Sequence, residues 1–385
     1  MKLTLFKNHF GENGKHIKNY FAPGRANLIG EHIDYNGGAV LPFALSQGIS
    51  AMIRFNPESH NIRIASDQTN SILSVDLTDP EAAFRHRDEL WQNYPLGVLH
   101  YLPETLKLPL VGADIMLSSN LPARSGLSSS AAIEVLIAYS FLHHANHPYA
   151  RDKKAIAQLC QQVENEFIGM HCGIMDQFVV AAAQKNHAML LQCNTLEYEH
   201  VPLALDTASL VILNTNKERS LTNSKYNERR EECEEALRII RQHKELPDLC
   251  AASVSDLNLI KDKVIKQRAV HVVNENMLVS KAAQSLKKND WHRLGLLLNA
   301  SHKSLKKDYE VSSFELDALT DAARKELSCY GARMIGAGFG GCAIALVEKE
   351  EVANFIENVT VAYQMQTSLC LDAYVSIAGE GVHSN

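Results

Sequence analysis

Up to about residue 187, apolar and polar positions alternate in short runs separated by turn residues, which is the two-residue period of half-buried strands. GISAMIRF (48–55), NIRIASD (61–67) and GADIMLSS (112–119) read this way, the last with Ala113, Ile115 and Leu117 set against Asp114, Met116 and Ser118. The period then lengthens. Behind the loop NLPARSGLSSSAAIEV (120–135), Ala131, Ala132, Val135, Leu136, Tyr139 and Leu142 recur at helical spacing. A second helix is predicted over 153–168 from the stripe Ile156, Leu159, Cys160, Val163 and Phe167. Glu164 and Glu166 fall on opposite flanks of that stripe, and periodicity does not choose between them. Beyond about residue 188 long amphipathic patterns take over, predicting helices over 226–244, 268–288 and 308–327, and the chain closes with strands near 342–348 and 371–378. No internal repeat or low-complexity segment interrupts this order. The pattern is that of a mixed α+β protein in two lobes, divided as 1–187 and 188–385.

Length agrees, because 385 residues exceed what one hydrophobic core usually organises. With 46% hydrophobic and 21% charged residues the chain reads as globular, and a net charge of −6 argues against nucleic acid as a partner. Eight cysteines without a C-x-x-C pair suggest reduced thiols and a cytoplasmic location rather than a zinc or redox site. Neither an export leader nor an apolar run long enough to span a bilayer is visible, so no membrane role is expected.

Three segments concentrate chemistry. APGRANLIGEHIDYNGGAVLPFAL (22–45) crowds Arg25, Glu31, His32, Asp34, Tyr35 and Asn36 between apolar runs. A solvated hairpin turn would explain Asn-Gly-Gly, but this density of donors and acceptors also suits a polyhydroxylated ligand, whose every buried hydroxyl needs a partner. In the serine loop, Gly126, Leu127, Ser128, Ser129 and Ser130 precede a helix, where unsatisfied N–H groups and the helix dipole favour phosphate. One serine would suffice as a cap; three add hydroxyls, one of which can ligate Mg2+. GARMIGAGFGGCAIALVE (331–348) satisfies G-x-G-x-x-G at Gly336, Gly338 and Gly341, yet a strand-like run follows instead of a helix. Its glycines instead suggest a backbone passing close to a ligand, as a second wall of the site. Asp176, in GMHCGIMDQFVVAAAQ (169–184), stands at the mouth of an apolar helix and could simply cap it. His143, His144 and His147 have no acidic or Cys partner nearby and read as a solvated helix end.

Taken together, PGRANLIGEHIDYNGG, GLSSSAA, CGIMDQF and GAGFGG resemble the galactokinases, a branch of the GHMP small-molecule kinases that also include homoserine, mevalonate and phosphomevalonate kinases. The likeness extends over nearly the whole chain. It implies a two-domain α+β fold: an N-terminal domain with a left-handed βαβ crossover, a ferredoxin-like C-terminal domain, and the active site in the cleft between them. It implies transfer of the γ-phosphoryl group of ATP to the anomeric hydroxyl of galactose by a monomer. By motif match, Glu31, His32, Asp34, Gly173, Asp176 and Tyr226 would contact the sugar, Asp176 and Arg25 would be catalytic, and Ser130 and Glu164 would hold Mg2+. Gly126 to Ser130 would bind the ATP phosphates, and Trp91 and Tyr94 would line the adenine pocket, although aromatics at helical spacing also serve as core. The family commonly has Val and Thr where this chain has Ala26 and Ile33, more glycine than Arg124 and Ser125 allow, and a basic residue that HVVNENMLVSKAA (271–283) lacks. A kinase of another sugar, N-acetylgalactosamine or arabinose, and a non-catalytic galactose and ATP sensor are the alternatives.

Overall fold

The computed structural model describes residues 2–12, 16–79, 83–122, 126–217 and 222–384. Arg124 and Ser125 therefore lie outside the described residues. In chain order the N-terminal half holds α1 (Lys2–Phe10), β1 (Lys18–Asn27), β2 (Ala39–Val40), β3 (Pro42–Asn56), β4 (Asn61–Ser66), β5 (Ile72–Asp76), α2 (Leu90–Thr105), β6 (Gly112–Ser119), α3 (Ser129–His144), α4 (Lys153–Gln162) and α5 (Met175–Ala182). There follow β7 (His187–Gln192), β8 (Tyr198–Pro202), β9 (Ala208–Asn214), α6 (Thr222–Arg241), α7 (Lys263–Lys287), α8 (Trp291–Lys307), α9 (Phe314–Lys325), β10 (Cys329–Met334), β11 (Cys342–Glu348), α10 (Val352–Thr367), β12 (Asp372–Ser376) and β13 (His383–Ser384).

A six-stranded sheet in the order β13-β1-β3-β6-β4-β5 carries the first half, with β4 and β6 parallel and the other pairs antiparallel. Helices α3 and α5 pack on it, and α1 lies against β6. The α1 contact corrects the half-buried reading of 112–119: Met116 is covered by Phe6 and Phe10, so both faces of β6 are buried. On that covered face Arg54 donates to Asp114 at 2.7 Å and to the Phe10 carbonyl, tying helix and sheet together. The second half is built on the antiparallel sheet β10-β11-β9-β12 with α8, α9 and α10, while β2, β7 and β8 form a small third sheet that α7 touches. One continuous cluster of buried side chains runs through both halves. The chain's last strand returns to pair with β1, matching Tyr20 to Ser384 and Phe21 to His383.

Four helix starts follow capping chemistry. Asp152, Asp262, Asp290 and Ser313 each accept a hydrogen bond from a first-turn N–H of α4, α7, α8 and α9. Ser313 is also why the helix predicted from residue 308 begins only at 314. The stretch predicted as one helix over 153–168 is instead α4 followed by a π-helical turn, Val163–Ile168. A π turn inside a helix often marks a functional position. His143 and His144 are half-buried rather than solvated, His144 stacking on Phe55 at 3.7 Å between ring centroids. Among the described residues no set of three His, Cys, Asp or Glu is placed to hold a metal, and no helix is long and apolar enough to cross a membrane.

Candidate active site

A cavity of about 680 Å³ opens between the two halves. Of the residues that the family resemblance assigns to the site, Arg25, Glu31, His32, Asp34, Tyr94, Gly126, Ser128, Ser129, Ser130, Glu164, Gly173, Asp176 and Tyr226 all line it. Two do not. Leu127 turns its side chain into the core, and Trp91 packs against the core with its indole N–H donating to Glu89 at 2.7 Å. Leu90, Met170, Cys172, Met175 and Ser224 line the cavity without a sequence signal that separates them from packing residues.

Arg25 reaches the cavity because β1 carries a bulge at Pro23–Arg25, where the strand's register shifts. Proline there has no N–H to contribute to the ladder, and a bulge re-aims the side chain that follows. The Arg25 guanidinium donates from Nε and Nη2 to the two oxygens of Asp176 at 2.7 and 2.8 Å, a bidentate pair, and from Nη1 to the Gly126 carbonyl at 2.9 Å. Two of its five N–H groups remain for another acceptor. Asp176 lies in the first turn of α5 but is not its cap; Ile174 occupies that position. Besides Arg25 it accepts a hydrogen bond from the Ser128 hydroxyl.

That last bond disposes of the capping explanation for the serine loop. Ser128 is the residue before α3, held at φ +60°, and its side chain bonds Asp176 instead of the helix N–H groups. While α4, α7, α8 and α9 are capped by their own side chains, the first turn of α3 faces the cavity with no side-chain cap, which is the arrangement that accepts an anion. Gly336 and Ala337 face this turn from the other half, at φ +77° for Gly336, and a Cβ on Gly336 would lie 3.2 Å from the Gly126 carbonyl. The glycine-rich stretch is thus a second wall, and β11 follows it in place of the helix a dinucleotide fingerprint requires.

The polar turn 28–38 forms the opposite end. Glu31 accepts from the Gly336 N–H at 2.9 Å and lies 3.5 Å from fully buried Arg333. Burial pushes its carboxyl up, and the charges of Arg333 and Arg25 oppose that. His32 differs from expectation, since both ring nitrogens are engaged within the protein. Nε2 faces the Ala337 carbonyl at 3.2 Å and must donate to it, so Nδ1 accepts from the Tyr35 hydroxyl at 2.8 Å. The relay continues from Tyr35 to Tyr309 and on to Cys233. Burial, then the His271 charge, pushes His32 down to about 3, so the ring is neutral and shapes the wall. Asp34 is half-buried against Gly173, where a Cβ would stand 2.0 Å from its Oδ2; only glycine leaves room for that carboxylate. The Tyr226 ring sits 5.5 Å from that of His32 and closes the pocket.

The two glutamates of the π turn have different surroundings. The turn buries Glu164 beside the Ser130 hydroxyl, which hydrogen-bonds it, while Glu166 points outward to Tyr101 and Gln162. Burial pushes Glu164 above its ordinary range. Fully buried Glu134, one turn along α3 from Ser130, is pushed well above its own by burial and then by the Glu164 charge. Arg333, His271 and Glu275, all behind the polar turn, were missed in the sequence. Arg333 had a readable signal, a lone charge between Ala332 and Met334 in an apolar strand.

Models of the N-terminal and C-terminal domains of GHMP kinases match residues 93–184 and 282–363. The structure of Methanococcus jannaschii mevalonate kinase superposes at a TM-score of 0.67 with 20% identity, over 96% of this chain and 100% of that one, a likeness of fold alone. The two-domain α+β fold, with an uncapped helix N-terminus facing a cleft, is that of a GHMP kinase. A model described as the galactokinase galactose-binding signature matches residues 4–55. Galactokinase from Clostridium tetani is 44% identical over 378 residues, 97% of this chain and 94% of that protein, and the Enterococcus faecalis enzyme is 42% identical over 385, covering 98% and 97%. The structure of Lactococcus lactis galactokinase complexed with galactose superposes at a TM-score of 0.94 with 37% identity, over 99% of this chain and 98% of that one. The chain belongs to the galactokinase family.

Proposed function

We propose that the protein phosphorylates galactose at its anomeric hydroxyl, using ATP and releasing galactose 1-phosphate and ADP. The observation that carries this is the position of Asp176. It lies between the polar turn and the first turn of α3, held by Nε and Nη2 of Arg25 and by Ser128. A sugar held by Glu31, Asp34, Tyr226 and the backbone at Gly173 would bring its anomeric hydroxyl to that carboxylate. The hydroxyl oxygen attacks the γ-phosphorus, the bond from that phosphorus to the β-phosphate oxygen breaks, and the hydroxyl proton passes to Asp176. The free N–H groups of Arg25 and the open N–H groups of α3 would stabilise the charge on the phosphoryl oxygens. Tyr94, which lines the cavity, would border the base.

The donor set at Ser130 and Glu164 suits Mg2+, because both groups are oxygen ligands beside the phosphate end of the cavity. Burial raises the carboxyls of both Glu134 and Glu164, and the Glu164 charge raises Glu134 further, so a bound divalent ion would balance them. Such an ion would neutralise the β and γ oxygens as the bond breaks. The cavity is assembled within one chain, which supports action as a monomer, with 1–187 and 188–385 as the two domains. Eight free cysteines support a reducing, cytoplasmic setting.

The test is coupled ADP release with galactose, glucose, arabinose and N-acetylgalactosamine side by side. Galactose should give the highest kcat/KM; equal or better turnover of arabinose or N-acetylgalactosamine would overturn the assignment, and binding of galactose and ATP without ADP release would mark a sensor.

A further inference from the structure

Helix α7 supplies no residue to the cavity, yet two of its side chains hold the backbone of the polar turn and a third holds the start of β2. Gly30 stands at φ +106°, a conformation open to glycine, and this turns the N–H groups of Gly30 and Glu31 toward a single point. Glu275 Oε1 occupies that point, accepting from Gly30 at 2.9 Å and from Glu31 at 3.4 Å. Successive N–H groups converging in this way form an anion nest, here filled by a carboxylate from the other half of the chain. The same oxygen accepts from the Ser301 hydroxyl of α8 at 2.6 Å. One helical turn back along α7, His271 Nε2 lies 3.1 Å from the Glu31 carbonyl and must donate to it. Asn276 Oδ1 accepts from the Ala39 N–H at 2.9 Å. The methyl of Val279 fills the space beside Gly30, where a Cβ would meet it at 2.9 Å.

His271 and Glu275 are fully buried. Both the N–H and the C=O of Glu31 are therefore held by residues four apart on α7, while its carboxylate is held by Gly336. We propose that His271 and Glu275 are positioning residues for the sugar, a clamp that fixes the Gly30–Glu31–His32 backbone and through it the pose of the groups that recognise substrate. This rests on the reading of the polar turn as the sugar site. The nucleotide end of the cavity is built on α3 and the π turn, which α7 does not hold, so the clamp affects one substrate and not the other.

The informative variants are Glu275→Gln, which keeps an acceptor but removes its charge, His271→Phe, which keeps a ring without the donor, and Ser301→Ala, a small change that loosens Glu275 without touching the turn. Galactose KM, ATP KM, kcat, galactose affinity without nucleotide, and hydrogen exchange of the 28–36 backbone are measured on each full-length protein. Galactose KM and Kd should rise on the order of ten-fold in Glu275→Gln and His271→Phe and less in Ser301→Ala, with ATP KM within about two-fold of the parent. Exchange over 28–36 should quicken in the same order. A merely structural role predicts that melting temperature falls while galactose and ATP constants move together or not at all, and that result overturns the clamp. Should the parent neither bind nor phosphorylate galactose, the sugar-site reading fails on its own; unchanged exchange over 28–36 in Glu275→Gln sinks the clamp independently of it.

Discussion

At Asp34, stability and the proposed sugar contact pull in opposite directions. Burial first, then the charge of Asp176, pushes its carboxyl from 3.8 up to about 7, against the Tyr35 N–H and Arg25. Between those values the folded protein holds a proton that the unfolded chain has released, so stability falls as pH rises through this window and stays low above it. At about 1.4 kcal/mol for each tenfold in proton affinity the whole shift corresponds to roughly 4 kcal/mol. Asp34 opens on cavity water, which screens the charge, so about 1 to 3 kcal/mol is the expected share. Asp34→Asn removes the ionisation and should stabilise the sugar-free protein at alkaline pH. Its advantage over the parent, measured by urea unfolding, should widen by about 0.5 to 1.5 kcal/mol between about pH 5.5 and about pH 8.5, since about half of the window lies above pH 5.5. The same variant should lose galactose-dependent stabilisation, because the amide keeps one acceptor oxygen where the carboxylate has two. Parallel pH profiles for the two proteins would refute the reasoning.

Asp176→Asn should lower kcat by ~10² to 10⁴ while ATP affinity, measured by calorimetry, stays near that of the parent. Gly173→Ala places a methyl 2.0 Å from Asp34 Oδ2 and should raise galactose KM at least about ten-fold with ATP KM unchanged, as read from initial rates. Arg54→Met leaves the buried Asp114 carboxylate without its inner partner and the Phe10 carbonyl without a donor. It should cost about 3 kcal/mol or more of stability by denaturant titration and expose α1 to proteolysis, with kcat preserved because α1 lies away from the cavity.

What the sequence revealed, and what it hid, divides along local and non-local physics. The serine loop, the polar turn and the Asp176 cluster are contiguous, so their chemistry is written in neighbouring letters. The strands at 48–55, 61–67 and 112–119 were legible from their two-residue period. Helix α2 was not, because Pro95 and Pro103 break the expected pattern and its Glu89 cap position makes no side-chain bond. Helix α8 had a readable apolar stripe in Leu294, Leu298 and Leu305 behind an Asp290 cap, and went unread beside two longer patterns. The π turn could not be read: one residue of extra winding decides that Glu164 and not Glu166 meets Ser130, and composition is silent on winding. Trp91 shows the reverse error, a position matched by family and placed by packing. His271 and Glu275 look like ordinary polar residues on a helix until the turn that they hold, some 240 positions earlier, is folded against them.

The return of β13 to β1 bears on how the chain is made. Synthesis runs from the N-terminal side, so β1 emerges well before its partner, and its outer edge lacks that strand until residues 383–384 have left the ribosome. Through that interval the edge is a template on which another nascent chain could add a strand. The closing segment also threads backbone bonds from Gly379 to Ala44, Gly381 to Ala183 and Val382 to Val180, so its docking completes several surfaces at once. Contacts this distant form slowly. Loss of residues 379–384 would therefore act far from the cavity, on yield and solubility during expression, before any effect on turnover.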